Sequence, residues 1–252
     1  MTYRSQLRDL TPEHSAWRAI VSAIIPCLDE EEAIASVIRA VRAQGVSEVI
    51  VVDGCSRDQT VERATRAGAR VVVEPERGYG RAIQAGIAAA RPDANILLFI
   101  DGDGSDPAEF IPVLIAAIVD GHVAFVQGSR LRGNRERGSL SPQQIAAGYI
   151  GGLLLRLLYG VQFTDLSPFR AIRRDAFDRL GMRDATYGWN LEMLMRVAAT
   201  GVPSLEIPVG QRRRIGGASK VSGNPIAGLK AAWTITRTFL RLAFLLRRGQ
   251  KF

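Results

Sequence analysis

The sequence predicts an α/β fold with a mostly parallel central sheet flanked by helices. Strand-like and helix-like segments alternate four times between residues 20 and 119, which is typical of that class. The run 96–100 contains no polar residue, so it suits a strand covered on both faces, as in parallel sheets. A chain of 252 residues with 47% hydrophobic residues can bury the core that such a fold needs.

The first half of the chain divides into four units, each a strand followed by a helix. Each strand is a short apolar run, and the helices have apolar residues at helical spacing. Acidic residues at 29–32 favour a helix start there. The predicted units are a strand at 20–26 with a helix at 29–45, a strand and helix within 47–68, a strand at 69–75 with a helix at 78–92, and a strand ending at Asp101 with a helix near 107–119.

Beyond residue 130 the pattern is less regular. After a strand at 122–130, the polar segment 131–144 has no core positions and is predicted to be a mobile loop. The apolar helix 145–160 is too short to span a membrane and has Arg156 within it, so it is predicted to be a core or membrane-facing helix. The remaining predicted elements are a turn, strand and helix start at 165–177, a helix at 187–201, and a strand with a basic, glycine-rich loop at 204–224.

The two ends of the chain are predicted to differ from the central unit. Residues 1–19 are polar and lack the apolar stretch of a secretion signal, so they are interpreted as an N-terminal extension. Residues 20–224 form the α/β domain, and residues 225–252 form a basic amphipathic helix. Cys27 and Cys55 are predicted to be reduced thiols, and two isolated histidines argue against a zinc site.

The formal charge of +8 is unevenly distributed. Residues 203–252 hold ten lysines and arginines against Glu206 alone, so this segment carries +9 and the remainder carries −1. A nearly neutral body with a basic tail predicts an anionic partner at that end. The candidates are a membrane surface, a phosphorylated substrate and nucleic acid.

The last predicted helix, 225–248, concentrates its charge on one line. Four basic residues lie within about 20° of that line at 100° per residue. They are Lys230, Arg237, Arg241 and Arg248. The stretches between these charges are too short for a membrane span, so the helix is predicted to lie on an anionic membrane surface. The residues facing the membrane would be Trp233, Phe239, Leu242 and Leu246. The alternative is that this apolar face packs on the protein body or on a second copy, as in a homodimer.

The candidate site begins at the acidic turn after the strand 96–100. Asp101, Asp103 and Asp106 follow this strand, and ligands of parallel sheets gather at the carboxyl ends of the strands. Two glycines let the backbone bend sharply, so Asp101 and Asp103 can converge on Mg²⁺ or Mn²⁺, which would bridge the phosphates of a nucleotide. The alternative is an Asp/Gly-rich turn that binds nothing, since these residues favour turns for conformational reasons alone.

The segment 78–86, GYGRAIQAG, opens a predicted helix after a strand and so invites a dinucleotide-binding interpretation. However, the G-x-G-x-x-G pattern requires a small residue where Ile83 stands, and Asp101 belongs to the acidic turn instead of ending a plain second strand. A closely packed helix start that lets a nucleotide approach is the preferred interpretation.

Taken together, the ordered motifs resemble the family 2 glycosyltransferases of GT-A fold, in the branch of dolichol- and polyprenyl-phosphate sugar transferases. The resemblance covers about residues 20–225 and implies a Rossmann-like, nucleotide-binding fold. The motifs, in chain order, are IIPCLDEEEAI, VVDGCSRDQT, GYGRAIQAG, the DGD of the acidic turn, GSRLRG, DLSPFRAIRR and RRRIGGASKVSG.

The resemblance implies a role for each matching residue. The nucleotide-sugar donor would be held by Pro26, Asp29, Glu31, Asp53, Gly80, Arg81, Asp101 and Gly102. The metal would be held by Asp101 and Asp103. An acceptor phosphate would be held by Arg130, Arg170, Ser219 and Lys220, with Arg212 and Arg214 also at phosphate-binding positions. The catalytic residues would be Asp103, Glu192, Arg212 and Arg214. The family often has Asn where Asp29 stands and a second acid where Gly54 stands.

The acceptor can be argued from chemistry. Inverting transfer to a hydroxyl needs a general base, which many relatives supply from an adjacent Glu-Asp pair; here that position holds Glu192-Met193, so the second acid is missing. A phosphate acceptor is already ionised and needs cations instead, and arginine suits forked phosphate contacts. The prediction is an inverting, metal-dependent enzyme that moves a sugar from a UDP- or GDP-sugar to a polyprenyl-phosphate lipid. It would act as a peripheral protein at the cytoplasmic face of a membrane.

Two alternatives remain open. Within the same class of enzyme, the acceptor is a soluble or lipid hydroxyl, with Glu192 as the base. In a different class, the chain is a non-catalytic nucleotide- or nucleic-acid-binding protein that uses its basic tail. No nucleic acid is expected, because the basic elements lack the interleaved aromatic residues of a single-strand platform.

Overall fold

The computed structural model describes residues 19–121 and 123–216, together with Arg237 and Phe239. Seven strands in this part of the chain form one sheet. They are β1 (Val21–Cys27), β2 (Glu48–Asp53), β3 (Arg70–Val73), β4 (Ile96–Phe99), β5 (Phe125–Ser129), β6 (Arg170–Arg173) and β7 (Ser204–Pro208). The helices are α1 (Ile34–Arg42), α2 (Thr60–Arg66), α3 (Tyr79–Ala89), α4 (Ile111–Val119), α5 (Pro142–Tyr159), α6 (Arg174–Leu180) and α7 (Trp189–Thr200).

The strand order confirms the predicted, mostly parallel sheet. From one edge to the other it is β3-β2-β1-β4-β6-β5-β7. β1 pairs in parallel with β2 and β4, and β2 pairs in parallel with β3, because helices return the chain between these strands. β6 is antiparallel to β4 and β5, whereas β7 is parallel to β5. The carboxyl ends of β1, β2 and β4 therefore meet at one edge.

Side chains alternate across the sheet, so each face has its own hydrophobic cluster. In β1, Ala23 and Ile25 join the cluster beneath α1, α2 and α4, whereas Ile24 joins the cluster beneath α3, α5 and α7. Residues 96–100 divide between the two clusters in the same way, and each is at most 2% exposed. This run is thus buried from both sides, as its sequence predicts.

The loop before α5 is held more firmly than its polar sequence suggests. The prediction that 131–144 has no core positions is wrong, because Leu140 is buried. Arg135 also forms a bridge with Gln211, and the N–H of Glu136 donates to the Gln211 carbonyl at 2.8 Å. The contacts with Gln211 cannot be predicted from the sequence pattern, because they are made by backbone groups that every residue has.

Helix α5 packs against the body through its glycines. Ser141 and Gln144 cap each other's backbone N–H groups at its start. A Cβ at Gly152 would overlap the carbonyl of Phe163, so only glycine lets the two backbones approach this closely. The opposite face exposes four large apolar side chains, Tyr149, Ile150, Leu153 and Leu157. Among the helices of the described residues, none has the length and apolar character needed to cross a membrane.

The predicted C-terminal helix lies outside the described residues except for Arg237 and Phe239, as does the N-terminal extension up to residue 18. Phe239 is partly buried against the cluster beneath α3, α5 and α7, whereas Arg237 is exposed. The prediction that Phe239 faces a membrane is therefore wrong, and its side chain follows the alternative in which it packs on the body. Both residues are helical and lie about 200° apart around a helix axis, so Arg237 is on the side away from the packed phenylalanine.

Candidate active site

A cleft of about 960 Å³ opens at the carboxyl ends of β1, β2 and β4. Parallel sheets bind their ligands at this edge. The walls come from the segments after β1 and β2, the start of α3, the acidic turn after β4, the loop before α5 and residues 211–214. The fold therefore brings together segments that are far apart in the sequence.

Glycines bring the acidic turn against the end of β1. A Cβ at Gly102 would overlap Sγ of Cys27. Gly104 has a φ of +78°, and a Cβ there would overlap the side chain of Ile215. A larger residue at either position would push the turn away from its neighbours, so the sharp bend expected from the two glycines is present.

The three acids of this turn lie close together. The N–H of Asp101 donates to Oδ2 of Asp106 at 3.1 Å, and the N–H of Ser105 donates to Oδ1 of Asp103 at 2.9 Å. Asp101 and Asp103 line the cleft, and the Tyr79 hydroxyl lies 3.4 Å from Oδ1 of Asp101. Asp106 is 5% exposed, and its Oδ1 is buried with no hydrogen-bond partner among the described residues.

The environment of the turn disfavours so much negative charge. Burial first, and then the charges of Asp106 and Asp103, raises the pKa of Asp101 well above its ordinary value. Burial likewise raises the pKa of Asp106 to about 7. A divalent cation next to these carboxylates would offset their repulsion, and carboxylate oxygens are ligands that Mg²⁺ and Mn²⁺ take. The donor set therefore fits a hard cation.

The turn does not form a complete metal cage by itself. In the described part of the chain, no cluster of three or more His, Cys, Asp or Glu side chains could hold a metal ion. Oxygens from a bound phosphate or from water would have to complete the coordination of a cation held by Asp101 and Asp103.

Two residues expected to hold the nucleotide line the cleft next to β1. Pro26 belongs to the strand, and Asp29 follows it with a φ of +51°. The N–H of Asp29 donates to Oγ of Ser56 at 2.8 Å, and its Oδ1 accepts from the N–H of Arg57 at 2.8 Å. Asp29 therefore ties the loop after β1 to the loop after β2 and fixes that wall of the cleft.

Two other acids expected at the nucleotide do not line the cleft. Asp53 is 1% exposed and accepts the N–H of Ser56 at 2.9 Å, so it shapes the turn after β2. Glu31 accepts the N–H of Gln59 at 3.3 Å and lies 3.4 Å from Arg63, at the start of α2. Each carboxylate is engaged by the protein's own loop and helix groups, and the nucleotide-binding role of both residues stays a prediction.

The start of α3 is closely packed, but Gly80 and Arg81 do not face the cleft. Their N–H groups donate to the carbonyls of Thr186 at 3.2 Å and Ala185 at 3.1 Å, and a Cβ at Gly80 would overlap the carbonyl of Asp184. The Arg81 side chain pairs with Glu76. Glu76 lines the cleft, so Arg81 is next to the lining, and both nucleotide assignments stay predictions. Gly78, Tyr79 and Ala82 of the same segment line the cleft instead.

The basic residues divide into those that line the cleft and those that do not. Arg130 lines it and forms a fork with Asp165, through Nε and Nη2 at 2.8 Å each. Arg214 lines it too. Arg212 is half-exposed and pairs with Glu109 outside the cleft lining, and its catalytic role stays a prediction. Ser219 and Lys220 lie outside the described residues, so their predicted role stays a prediction.

Arg170 is fully buried. It lies within β6 and donates to the carbonyl of Asn190 at 3.1 Å. Burial lowers the pKa of its guanidinium to about 10. The side chain is near Tyr79, Asp101 and Arg130, which line the cleft, and its phosphate-binding role stays a prediction.

Glu192 is sequestered as well. It is 0% exposed and accepts Nε–H of Arg196 at 2.8 Å, with the N–H groups of Arg183 and Asp184 at 3.0 and 2.6 Å on its second oxygen. A general base must reach the proton that it removes. Both oxygens of Glu192 are occupied by groups outside the cleft lining, which favours a structural role, and its catalytic role stays a prediction.

Residues 212–216 run along the acidic turn. The N–H of Arg212 donates to the carbonyl of Ser105 at 2.9 Å, and the N–H of Ile215 donates to that of Asp103 at 3.0 Å. The Arg214 guanidinium lies 2.6 Å from Oε1 of Glu30 and 3.7 Å from Oδ2 of Asp103. The chain thus places one of its own cations beside the carboxylates that would hold a metal.

Among the cleft-lining residues to which the sequence analysis gave no role are Glu30, Tyr79, Arg213 and Tyr187. Glu30 stands in a run of four acids, where nothing local distinguishes it from Glu31. Arg213 stands in a run of three arginines, which indicates a basic segment but not which side chain turns inward. Tyr187 precedes the start of α7, and in the sequence only its aromatic side chain next to a helix start suggests a binding role.

The sequence matches the family described as Glycosyl transferase family 2 over residues 22–181. It is 38% identical to an uncharacterised glycosyltransferase of Mycobacterium tuberculosis over 208 residues, which is 81% of this chain and 90% of that protein. It is 32% identical to a dolichyl-phosphate hexose transferase of Haloferax volcanii over 212 residues, 82% of this chain and 88% of the relative.

Solved structures share the fold. The crystal structure of glucosyl-3-phosphoglycerate synthase from Mycobacterium tuberculosis, in complex with Mn²⁺, uridine diphosphate and phosphoglyceric acid, superposes with a TM-score of 0.71 at 23% identity. The superposition covers 90% of this chain and 79% of the synthase. The GT-A fold expected from the motifs is thereby confirmed.

Proposed function

Because the chain belongs to glycosyl transferase family 2, we propose that it moves one sugar from a nucleotide-sugar donor to the phosphate of a polyprenyl-phosphate lipid. The observation that carries the proposal is the composition of the cleft. Carboxylates of the acidic turn line it together with Arg213 and Arg214, and the Arg214 guanidinium lies 3.7 Å from Oδ2 of Asp103. The acid expected as a base for hydroxyl acceptors, Glu192, is buried in an ion pair.

The donor would lie across the loops after β1 and β2. Pro26, Asp29 and Gly54 line that wall, and Asp29 has its backbone and carboxylate fixed by the neighbouring loop. The diphosphate would then point toward Asp101 and Asp103. The Mn²⁺ and uridine diphosphate in the solved structure of the synthase support this class of donor.

The metal, when bound, would supply positive charge at the leaving diphosphate. Asp101 and Asp103 are the residues that would hold it. The guanidinium of Arg214 lies 3.7 Å from Asp103. The chain itself therefore contributes positive charge close to where negative charge would develop on the leaving diphosphate. Asp106, behind the turn, would position the backbone of Asp101 through its hydrogen bond.

The acceptor would enter from the wall formed by residues 211–214 and the loop before α5. Arg213 is fixed there, because its N–H donates to Glu136 at 2.8 Å and its Nε–H donates to the Arg137 carbonyl at 2.9 Å. An ionised phosphate oxygen would attack the anomeric carbon opposite the leaving diphosphate, which inverts that centre and needs no general base. The Haloferax dolichyl-phosphate hexose transferase supports this acceptor class.

Donor binding is tested by thermal unfolding with UDP- and GDP-sugars, with and without Mg²⁺ or Mn²⁺. We expect either the UDP-sugars or the GDP-sugars to stabilise the full chain by roughly 2.7 kcal/mol when their concentration is 100 times the dissociation constant. The stabilisation should require a divalent ion, because the diphosphate must complete the coordination of the metal. Stabilisation that is equal in excess chelator would contradict the metal assignment.

Acceptor binding is tested with Arg213→Ala. We expect the KM for a prenyl phosphate to rise by about 10- to 100-fold with little change in the donor KM, because a charged hydrogen bond contributes about 1.5–3 kcal/mol. Arg66→Ala is the control, since this exposed guanidinium pairs with Glu62 on α2, outside the cleft lining. Equal effects of the two substitutions, or transfer to a neutral prenyl alcohol as fast as to the phosphate, would favour the hydroxyl-acceptor alternative.

A further inference from the structure

The exposed face of α5 is apolar over much of its length. Tyr149, Ile150, Leu153 and Leu157 are between 56% and 71% exposed. At 100° per residue they fall within an arc of about 100° on one side of the helix. Folded proteins rarely leave such large apolar side chains contiguous and uncovered unless the surface binds something.

The surroundings of this face are positively charged. Between residues 131 and 164 there are four arginines and one acid. They are Arg132, Arg135, Arg137 and Arg156, with Glu136. This segment of the sequence therefore carries a formal charge of +3. Arg156 stands on the helix itself, about 20° from Tyr149 around its axis, and the helix has no acidic residue. An apolar strip bordered by arginines complements the surface of a bilayer that contains anionic lipid.

The helix that carries this face begins at the proposed acceptor side of the cleft. Leu140, Ser141 and Gln144 line the cleft, and the last two form the cap of α5. The first exposed apolar residue, Tyr149, thus lies within two helical turns of the cleft wall. A helix of 18 residues is about 27 Å long, so a lipid whose phosphate enters the cleft would have its membrane alongside the same helix.

The charges argue against a second copy as the occupant. A symmetric dimer contact brings the same patch of both chains together, which would place the two copies of Arg156 near each other. The side chain of Phe239, from the predicted C-terminal helix, is already packed against the hydrophobic cluster that includes Leu155 of α5.

We propose that the exposed apolar face of α5 docks this chain on an anionic lipid bilayer and so presents the cleft to a lipid phosphate. The inference rests on the proposed lipid-phosphate acceptor. The apolar side chains would enter the interface between head groups and acyl chains, while the arginines contact the anionic head groups.

Flotation with vesicles tests the proposal. The full chain is mixed with vesicles of phosphatidylcholine that either contain or lack 30% phosphatidylglycerol, a composition giving roughly −30 mV or more at the surface. The variant carries Leu153→Glu and Leu157→Glu. The control is Val119→Glu, an apolar residue that is 42% exposed on α4, over the opposite face of the sheet. Each protein is also measured for its thermal unfolding midpoint and for its mass in solution.

We expect the wild type and the control to float with anionic vesicles, and the double variant to partition at least about tenfold less, because two leucines leave the interface. Transfer to a short, water-soluble prenyl phosphate should be the same for all three proteins. Equal flotation of the double variant, no flotation of the wild type, or a wild-type dimer that the double variant dissociates would each overturn the docking proposal. If none of the three proteins transfers a sugar to the prenyl phosphate while flotation still depends on the apolar face of α5, the proposed function would be contradicted instead.

Discussion

Asp103→Asn is expected to abolish metal-dependent transfer while the fold stays intact. The carboxylate lines the cleft and lies 3.7 Å from Arg214, so its charge is available to a cation. An amide removes that charge, and losing one preorganised group that stabilises a developing anion costs about 10²–10³ in rate. The fold should survive because the amide oxygen can still accept the N–H of Ser105.

The measurement is transfer at saturating donor, together with thermal unfolding without ligands. Asp93→Asn serves as the control, since that residue is half-exposed and pairs with Arg91 on the surface. Asp103→Asn should keep the unfolding midpoint of the wild type and should lose the stabilisation that a nucleoside diphosphate gives with Mn²⁺. Full activity of this variant, or of the wild type in excess chelator, would remove the acidic turn from the mechanism.

Glu192→Gln is expected to destabilise the protein far more than it slows the reaction. Glu192 and Arg196 form a buried ion pair at 2.8 Å, with side chains that are 0% and 4% exposed. Removing one member leaves the buried guanidinium without its counter-charge, which costs about 3–5 kcal/mol. For a domain of this size that corresponds to a fall of roughly 6–20 °C in the unfolding midpoint.

The matched control is Glu62→Gln, which breaks an ion pair of the same spacing with Arg66 on the surface. Its side chains are more than half exposed, so the midpoint should move by no more than about 2–4 °C. The folded fraction of Glu192→Gln should keep the pH dependence of the wild-type rate. A stable Glu192→Gln variant with a rate reduced by about 10²–10⁴ would restore Glu192 as a general base and favour a hydroxyl acceptor.

The fold could be predicted from the sequence because its signals are local. The apolar run 96–100 needs only its own composition to indicate a strand buried on both faces, and the structure buries it so. The acidic turn was predictable for the same reason, since the strand, the acids and the glycines are contiguous. The antiparallel placement of β6 between β4 and β5 was not predicted, because strand order depends on contacts between distant segments.

The candidate site was predictable only in part, because the orientation of a side chain is set by its tertiary neighbours. Glu30 and Glu31 are adjacent acids, yet Glu30 lines the cleft while Glu31 turns to Arg63. Arg170 matches a phosphate-binding position of the family, but it falls within β6 and is buried there. Its neighbours Phe169, Ala171 and Ile172 are apolar, and this context indicates a buried strand.

The hydrogen bonds of residues 211–215 link the loop before α5 to the acidic turn, and this link affects how tightly the two substrates bind. Gln211 and Arg213 hold the loop through Glu136, while Arg212 and Ile215 hold the turn through its backbone carbonyls. Whatever orders the turn therefore also orders the wall at which the acceptor is expected to bind. Such coupling is reciprocal between two ligands, so donor and acceptor should each tighten the binding of the other. We therefore expect the dissociation constant of the acceptor to fall when metal and nucleotide are bound, and that of the nucleotide to fall by the same factor when the acceptor is bound.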